Sequence, residues 1–103
     1  METKIKQGKI VMCLKEDLVA SQVEALAAEA NLVLENKAGT LTDVVLDAGD
    51  INFIDSRGIS FVVALYKTAD QAGLGFSLTG LSKEMFDLCA LMRLDEVFPI
   101  SQR

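Results

Sequence analysis

Short continuous apolar runs alternate along this chain with longer stretches whose apolar residues recur at helical spacing. Residues 2–6 predict a short strand that turns at Gln7-Gly8 into the run Ile10 to Leu14. Such a run suits a strand buried on both faces. Next, Val19, Val23, Leu26, Ala27, Ala30 and Val33 mark one face of a helix. Ser21 is its expected N-cap, with Glu24 three residues on as a capping box, and Asn36-Lys37-Ala38-Gly39 closes it. Val44-Val45-Leu46 predicts a second buried strand that ends at Asp47.

The stretch from Ile51 to Lys67 begins apolar, breaks at Asp55-Ser56-Arg57-Gly58 and resumes with helical periodicity. Ile59, Val62, Val63, Tyr66 and Ala69 form one helix face, which Phe61, Leu65 and Ala72 widen to roughly 200°, about twice what a core-facing stripe needs. Either this helix packs on a sheet and also on a neighbouring helix, or Phe61 and Leu65 reach the surface beside Ser56 and meet a partner. Phe76 and Leu78 then alternate with Ser77 and Thr79, as in a half-exposed strand. A last helix is expected over Ser82 to Arg93, with Leu81, Met85, Leu88, Cys89 and Met92 in register. Pro99 restricts the closing Val97-Phe98-Pro99-Ile100 to an edge strand or an irregular tail. The order ββαβαβα, with a final short strand left open, predicts an α/β fold: a parallel or mixed β-sheet covered by α-helices. Functional loops gather at the carboxyl ends of strands in such sheets, which singles out Asp47 to Ser56.

Composition narrows the function classes. At 103 residues the chain is expected to be one domain, 1–103. A net charge of −5, with scattered Lys and Arg, argues against nucleic acid and for a neutral or basic protein partner. No apolar run is long enough for a signal sequence or a membrane span, so the expected location is cytoplasmic, without direct membrane contact. Cys13 and Cys89 are expected as two buried thiols, and a zinc site would lack ligands.

Enzymatic chemistry finds little support. There is no His, no Gly-x-Ser-x-Gly elbow and no P-loop; Gly73-Leu74-Gly75 precedes a strand and is a turn. Glu16-Asp17 after one strand and Asp47, Asp50 and Asp55 after the next could hold Mg²⁺, but a phospho-accepting aspartate site also needs a Lys at a later strand end. Solvated loop acids are the simpler expectation. Ser56 is expected to cap the following helix, with its hydroxyl accepting from first-turn amides. A cap in an exposed loop is also an accessible phosphoacceptor, where phosphate would meet the positive end of the helix dipole among unpaired N–H groups.

With these residues in view, the chain resembles the STAS domain of bacterial anti-anti-sigma factors. "VVLDAGDINFIDSRGISFVVALYKTADQAG" looks like the family's strand, Asp-Ser-x-Gly loop and long helix. "FSLTGLSKEMFDLCALMRLDEVFPI" is similar to its closing strand, helix and tail, and "DLVASQVEAL" to the start of its first helix. The resemblance implies an anti-sigma factor antagonist that acts by partner switching, with no cofactor, no metal and no catalytic residue. Unmodified, it would bind an anti-sigma factor that is also a serine kinase; phosphorylation of Ser56 would end binding and a metal-dependent serine phosphatase would restore it. In that family picture Asp55 and Gly58 shape the loop, while Phe61 and Leu65 become contacts. The family's Gly-Glu-Leu-Asp stretch corresponds here to Lys15-Glu16-Asp17-Leu18, which puts Asp17 one place early beside the phosphoserine. Arg57 stands where a small residue is frequent and could pair with a phosphate or alter kinase recognition. An alternative the family allows is an accessory subunit of a lipid-transport ABC system, or of a two-component or chemosensory pathway. The oligomeric state is left open.

Overall fold

Gln7 and Gly8 both adopt positive φ (53° and 84°), as a two-residue type I′ hairpin turn demands. They join β1 (Glu2–Lys6) to β2 (Lys9–Cys13) as an antiparallel pair with Ile5 opposite Ile10. The computed structural model describes residues 1–103, the side chains of Lys37 and Ala38 excepted. After β2 come α1 (Ala20–Lys37), a 3₁₀ turn (Ala38–Thr40), β3 (Asp43–Asp47), α2 (Ser56–Gln71), β4 (Gly75–Leu81), α3 (Lys83–Leu91), a second 3₁₀ turn (Leu94–Glu96) and β5 (Ile100–Gln102). The strands form one five-stranded sheet in the order β1-β2-β3-β4-β5, parallel from β2 onward. The element order is the expected one, and the tail after Pro99 resolves into the edge strand β5.

The strand order makes three successive parallel crossovers in one direction, and since such connections are right-handed as a rule, all three helices fall on one face of the sheet. Burial agrees. Ile10, Met12, Val44, Leu46, Phe76 and Leu78 are buried under the helices, whereas Val11, Cys13, Val45, Ser77 and Thr79 on the alternate face are half-buried. The expectation of strands enclosed on both faces is therefore corrected: apolar runs in β2 and β3 leave one face partly open. Cys89 is buried, and burial pushes its thiol pKa up. Cys13 lies on the half-open face, so only one of the two thiols is enclosed.

Helix α2 packs on both β4 and α1. The width of its apolar arc has that cause: Phe61 and Leu65 are 4% and 3% exposed and line the seam with Ala27 and Asn31 of α1. Their expected role as surface contacts is overturned, because a second layer of helix covers them. Full burial of such side chains stabilises by about 1.5–3 kcal/mol each. At the opposite end of the sheet, Phe76 meets Tyr66 and Phe98 edge-to-face, and those two rings lie tilted on each other, with centroids 4.9–5.9 Å apart, a cluster that anchors the tail before Pro99.

Candidate functional site: the loop before helix α2

The chain leaves β3 at Asp47, whose Oδ1 accepts from the Gly49 amide at 2.8 Å and starts a turn. Nine residues later, at Ser56, α2 begins. Between them nearly every step is held from outside the loop. The guanidinium of Arg103 donates to the carbonyls of Gly80 (3.0 Å), Ala48 (3.1 Å) and Ile51. Lys15 bridges Asp50 (2.6 Å) and Glu2 (3.0 Å), and its ammonium holds both carboxyls below their ordinary pKa. The Asn52 amide donates to Asp17 Oδ1 at 2.9 Å. Leu18 then pairs with the loop as an isolated parallel bridge to Ile54, its amide donating to Phe53 and its carbonyl accepting from Asp55, both at 3.0 Å. The loop is thus a rigid platform.

Asp55 is the N-cap of α2. Its extended backbone (φ −97°, ψ −175°) turns Oδ1 onto the Gly58 amide at 2.9 Å. The other oxygen, Oδ2, accepts from the Ala20 amide at the start of α1, at 3.0 Å. One carboxylate therefore caps two helices. These contacts hold its pKa below the ordinary carboxylate value, chiefly through the Gly58 amide, then through the amides of Ala20 and Arg57 and the Arg57 charge. Two expectations give way here. Ser56 is the first helical residue and not the cap. Ser21 lies inside α1, and Asp55 serves that helix from across the fold in place of a local capping box.

Gly58 is buried because the Leu18 backbone crosses the first turn of α2. A Cβ at Gly58 would strike the Leu18 carbonyl oxygen and stand 2.8 Å from Leu18 Cβ and 2.9 Å from Ile54 Cγ2. The Asp-Ser-x-Gly tetrapeptide thus divides its work: Asp55 caps, Gly58 admits the crossing strand, and Ser56 and Arg57 face solvent. Asp17 is brought to this platform, but it is spent on the Asn52 amide. Asp47, Asp50 and Asp55 likewise have separate partners, and no group of carboxylates that could hold a metal occurs among the described residues.

Sequence reasoning missed Phe53, which is 55% exposed three residues before Ser56, while Ile51 and Ile54 are buried. The spacing of three between those isoleucines is the signal: it leaves Phe53 pointing away. Arg103 was missed as well, and it carries an expected result. Arg103→Ala should raise amide hydrogen exchange in residues 48–51 roughly tenfold, with a fall in Tm of only a few degrees, because charge-assisted bonds to one loop are lost and the core is untouched. Exchange measured by mass spectrometry checks it; unchanged protection would mean that the loop holds without the strut.

The family model described as "Mlab, STAS domain" matches residues 1–100. The chain belongs to the STAS domain family. Among solved structures, a Thermotoga maritima protein superposes on this STAS domain with a TM-score of 0.88 at 19% identity, over 99% of this chain and 86% of that one. An anti-sigma factor antagonist from Mycobacterium paratuberculosis gives 0.84 at 18% identity, over 99% and 84%. The anti-sigma factor antagonist SpoIIAA in its unphosphorylated form gives 0.70 at 16% identity, over 99% and 86%. At these identities the likeness concerns the fold, and the STAS domain's role has to be argued from its own site. Among the described residues, no helix is long and apolar enough to cross a membrane.

Proposed function

We propose that this STAS domain is an anti-sigma factor antagonist that works by partner switching, with Ser56 as the switch. The observation that carries the reading is the exposure of Ser56 at the first residue of α2, on a loop pinned from four directions. A kinase can reach such a hydroxyl without unfolding anything. Transfer of the ATP γ-phosphoryl group to Ser56 Oγ breaks the bond to ADP, releases the hydroxyl proton and adds roughly −1.5 to −2 charges. In this reading the unmodified domain docks through the loop onto an anti-sigma factor that is also a serine kinase. The modified domain leaves it, and a serine phosphatase resets the cycle. The domain acts as ligand and substrate, and the chemistry belongs to its partners.

Electrostatics set how the switch acts. Asp55 already accepts from the Gly58 and Arg57 amides, so a phosphate on Ser56 would not find the vacant amide cradle expected from sequence. It would stand beside a carboxylate, with Arg57 as the adjacent cation. The helix dipole offsets part of that repulsion, by about 0.3–1 kcal/mol. Against a docked apolar surface nothing offsets it, so the cost falls on binding.

The test uses a recombinant anti-sigma factor serine kinase, with ATP and site mapping by mass spectrometry. A single phosphate at Ser56 is expected. Ser56→Asp should raise the Kd for that kinase about tenfold, which is about 1.4 kcal/mol, and leave Tm within a few degrees. Phosphate elsewhere, or an unchanged Kd, would remove Ser56 from this role. A second reading is favoured by the Mlab description of the family model: the same loop docks on the ATPase of a lipid-transport ABC system. Binding of the purified domain to that ATPase and not to the kinase would decide for it.

A further inference from the structure

Besides Phe53, the largest exposed apolar side chains in this part of the fold are Leu91 (80%) and Met92 (49%). Helical spacing places them one turn beyond Leu88, which lines a groove with Phe53. Phe53, Asn52 and Ile54 wall a groove of about 110 Å³ whose other side is Glu84, Met85 and Leu88 of α3. Glu84, Leu88 and Leu91 stand at i, i+4 and i+7, and Met92 at i+4 from Leu88, so the groove opens onto a stripe along α3. Phe53 is three residues from Ser56, within about 11 Å along the chain. The sequence around the stripe is acidic: Glu84 lines the groove, Asp87 follows one turn on, and Asp95 and Glu96 lie in the 3₁₀ turn just after α3, all four exposed, against Lys83 and Arg93. Lys83 is already paired with Asp87 at 2.8 Å.

We propose that the Phe53–Leu88–Leu91 stripe is the second half of the docking surface that begins at Ser56. Its occupant is a partner segment that seats one bulky apolar side chain between Phe53 and Leu88, flanked by Lys or Arg facing the four acids. This extension rests on the reading of Ser56 as a docking switch. Charge selects the occupant. A second copy in a two-fold arrangement would set the same acidic rim against itself, and like charges across an interface are disfavoured. A basic-flanked partner meets complementary charge. Ser56 and the stripe then have separate tasks: the apolar anchor holds the complex together, and the phosphate at its border vetoes it.

The experiment measures the Kd of the full chain for the recombinant anti-sigma factor kinase, by calorimetry at two salt concentrations. Leu91→Glu and Phe53→Ala are each expected to raise the Kd at least tenfold. Glu84→Lys should weaken binding at low salt more than at high salt. Leu32→Glu, at a 59% exposed position on α1, should leave the Kd unchanged, and thermal melts should keep all four variants folded. Wild-type affinity in Leu91→Glu and Phe53→Ala, with loss in Ser56→Asp, overturns the stripe and leaves the Ser56 reading standing. Failure of the unmodified wild-type chain to bind the kinase overturns that reading and this extension with it. A wild-type dimer in sedimentation that Leu91→Glu dissolves assigns the stripe to a second copy and also overturns the proposal.

Discussion

Gly58→Ala is expected to lower Tm by roughly 10–20 °C, the shift that about 2–3 kcal/mol makes in a domain of this size. Two opposing effects decide the sign. In the interior of a helix alanine is better than glycine by about 1 kcal/mol, which alone would stabilise α2. The added Cβ, however, would overlap the Leu18 carbonyl oxygen and come within 2.9 Å of Ile54 Cγ2. Neither neighbour can yield cheaply. The Leu18 carbonyl is bonded to the Asp55 amide and its own amide to Phe53, so backbone on both sides would have to shift. Overpacking of this kind outweighs the propensity gain. Gly39→Ala is the control, since a Cβ there meets nothing within 4 Å, and its Tm should hold or rise slightly. Melting curves followed by circular dichroism test the pair; equal Tm values for wild type and Gly58→Ala would mean that α2 does not pass so close to Leu18.

Asp55→Ala should come next in size, with a fall in Tm on the order of 5–10 °C, because two helix starts lose their acceptor at once. Asp55→Asn separates the two. Its carbonyl oxygen can keep the Gly58 amide, but its NH₂ group cannot accept from Ala20, so the loss should be smaller and local to the first turn of α1. The pH dependence follows from the direction of the shift. Asp55 has its pKa depressed in the folded state, so its contribution is complete above the ordinary carboxylate value near 3.9 and fades as pH falls through the lower folded-state value. The Tm gap between wild type and Asp55→Ala should therefore be constant from about pH 5 to 8 and narrow below about pH 4. A gap independent of pH down to pH 2 would show that the caps do not need the charge.

Much of this fold is legible in the sequence, because each helix and strand carries its own periodicity. Even the doubtful tail resolves, since Pro99 leaves an edge position as the one ordered option. What misleads are places where the partner lies far along the chain. The sequence pointed to Ser56 as the cap, yet Asp55 takes the place; the decisive contacts are Gly58 three residues after Asp55 and Ala20 thirty-five residues before it. Ser21 looked like a cap because its real competitor sits in another loop. The broad apolar arc of α2 permitted either a surface or a second helix, and Phe61 and Leu65 went to the helix. Arg103 had no local signature at all, as its acceptors are 23 to 55 residues away.

The sheet's first border also has something to say about crowding. Strand β1 is exposed at every residue, Glu2 through Lys6, and offers an unpaired row of backbone donors and acceptors to any neighbour. Two lysines, Lys4 and Lys6, punctuate that row. Lysines on an exposed edge discourage a sibling chain from extending the sheet there, since a strand laid against them would strip water from their ammonium groups. Rising concentration should thus not draw copies into ribbons along this border, whatever other faces of the molecule do.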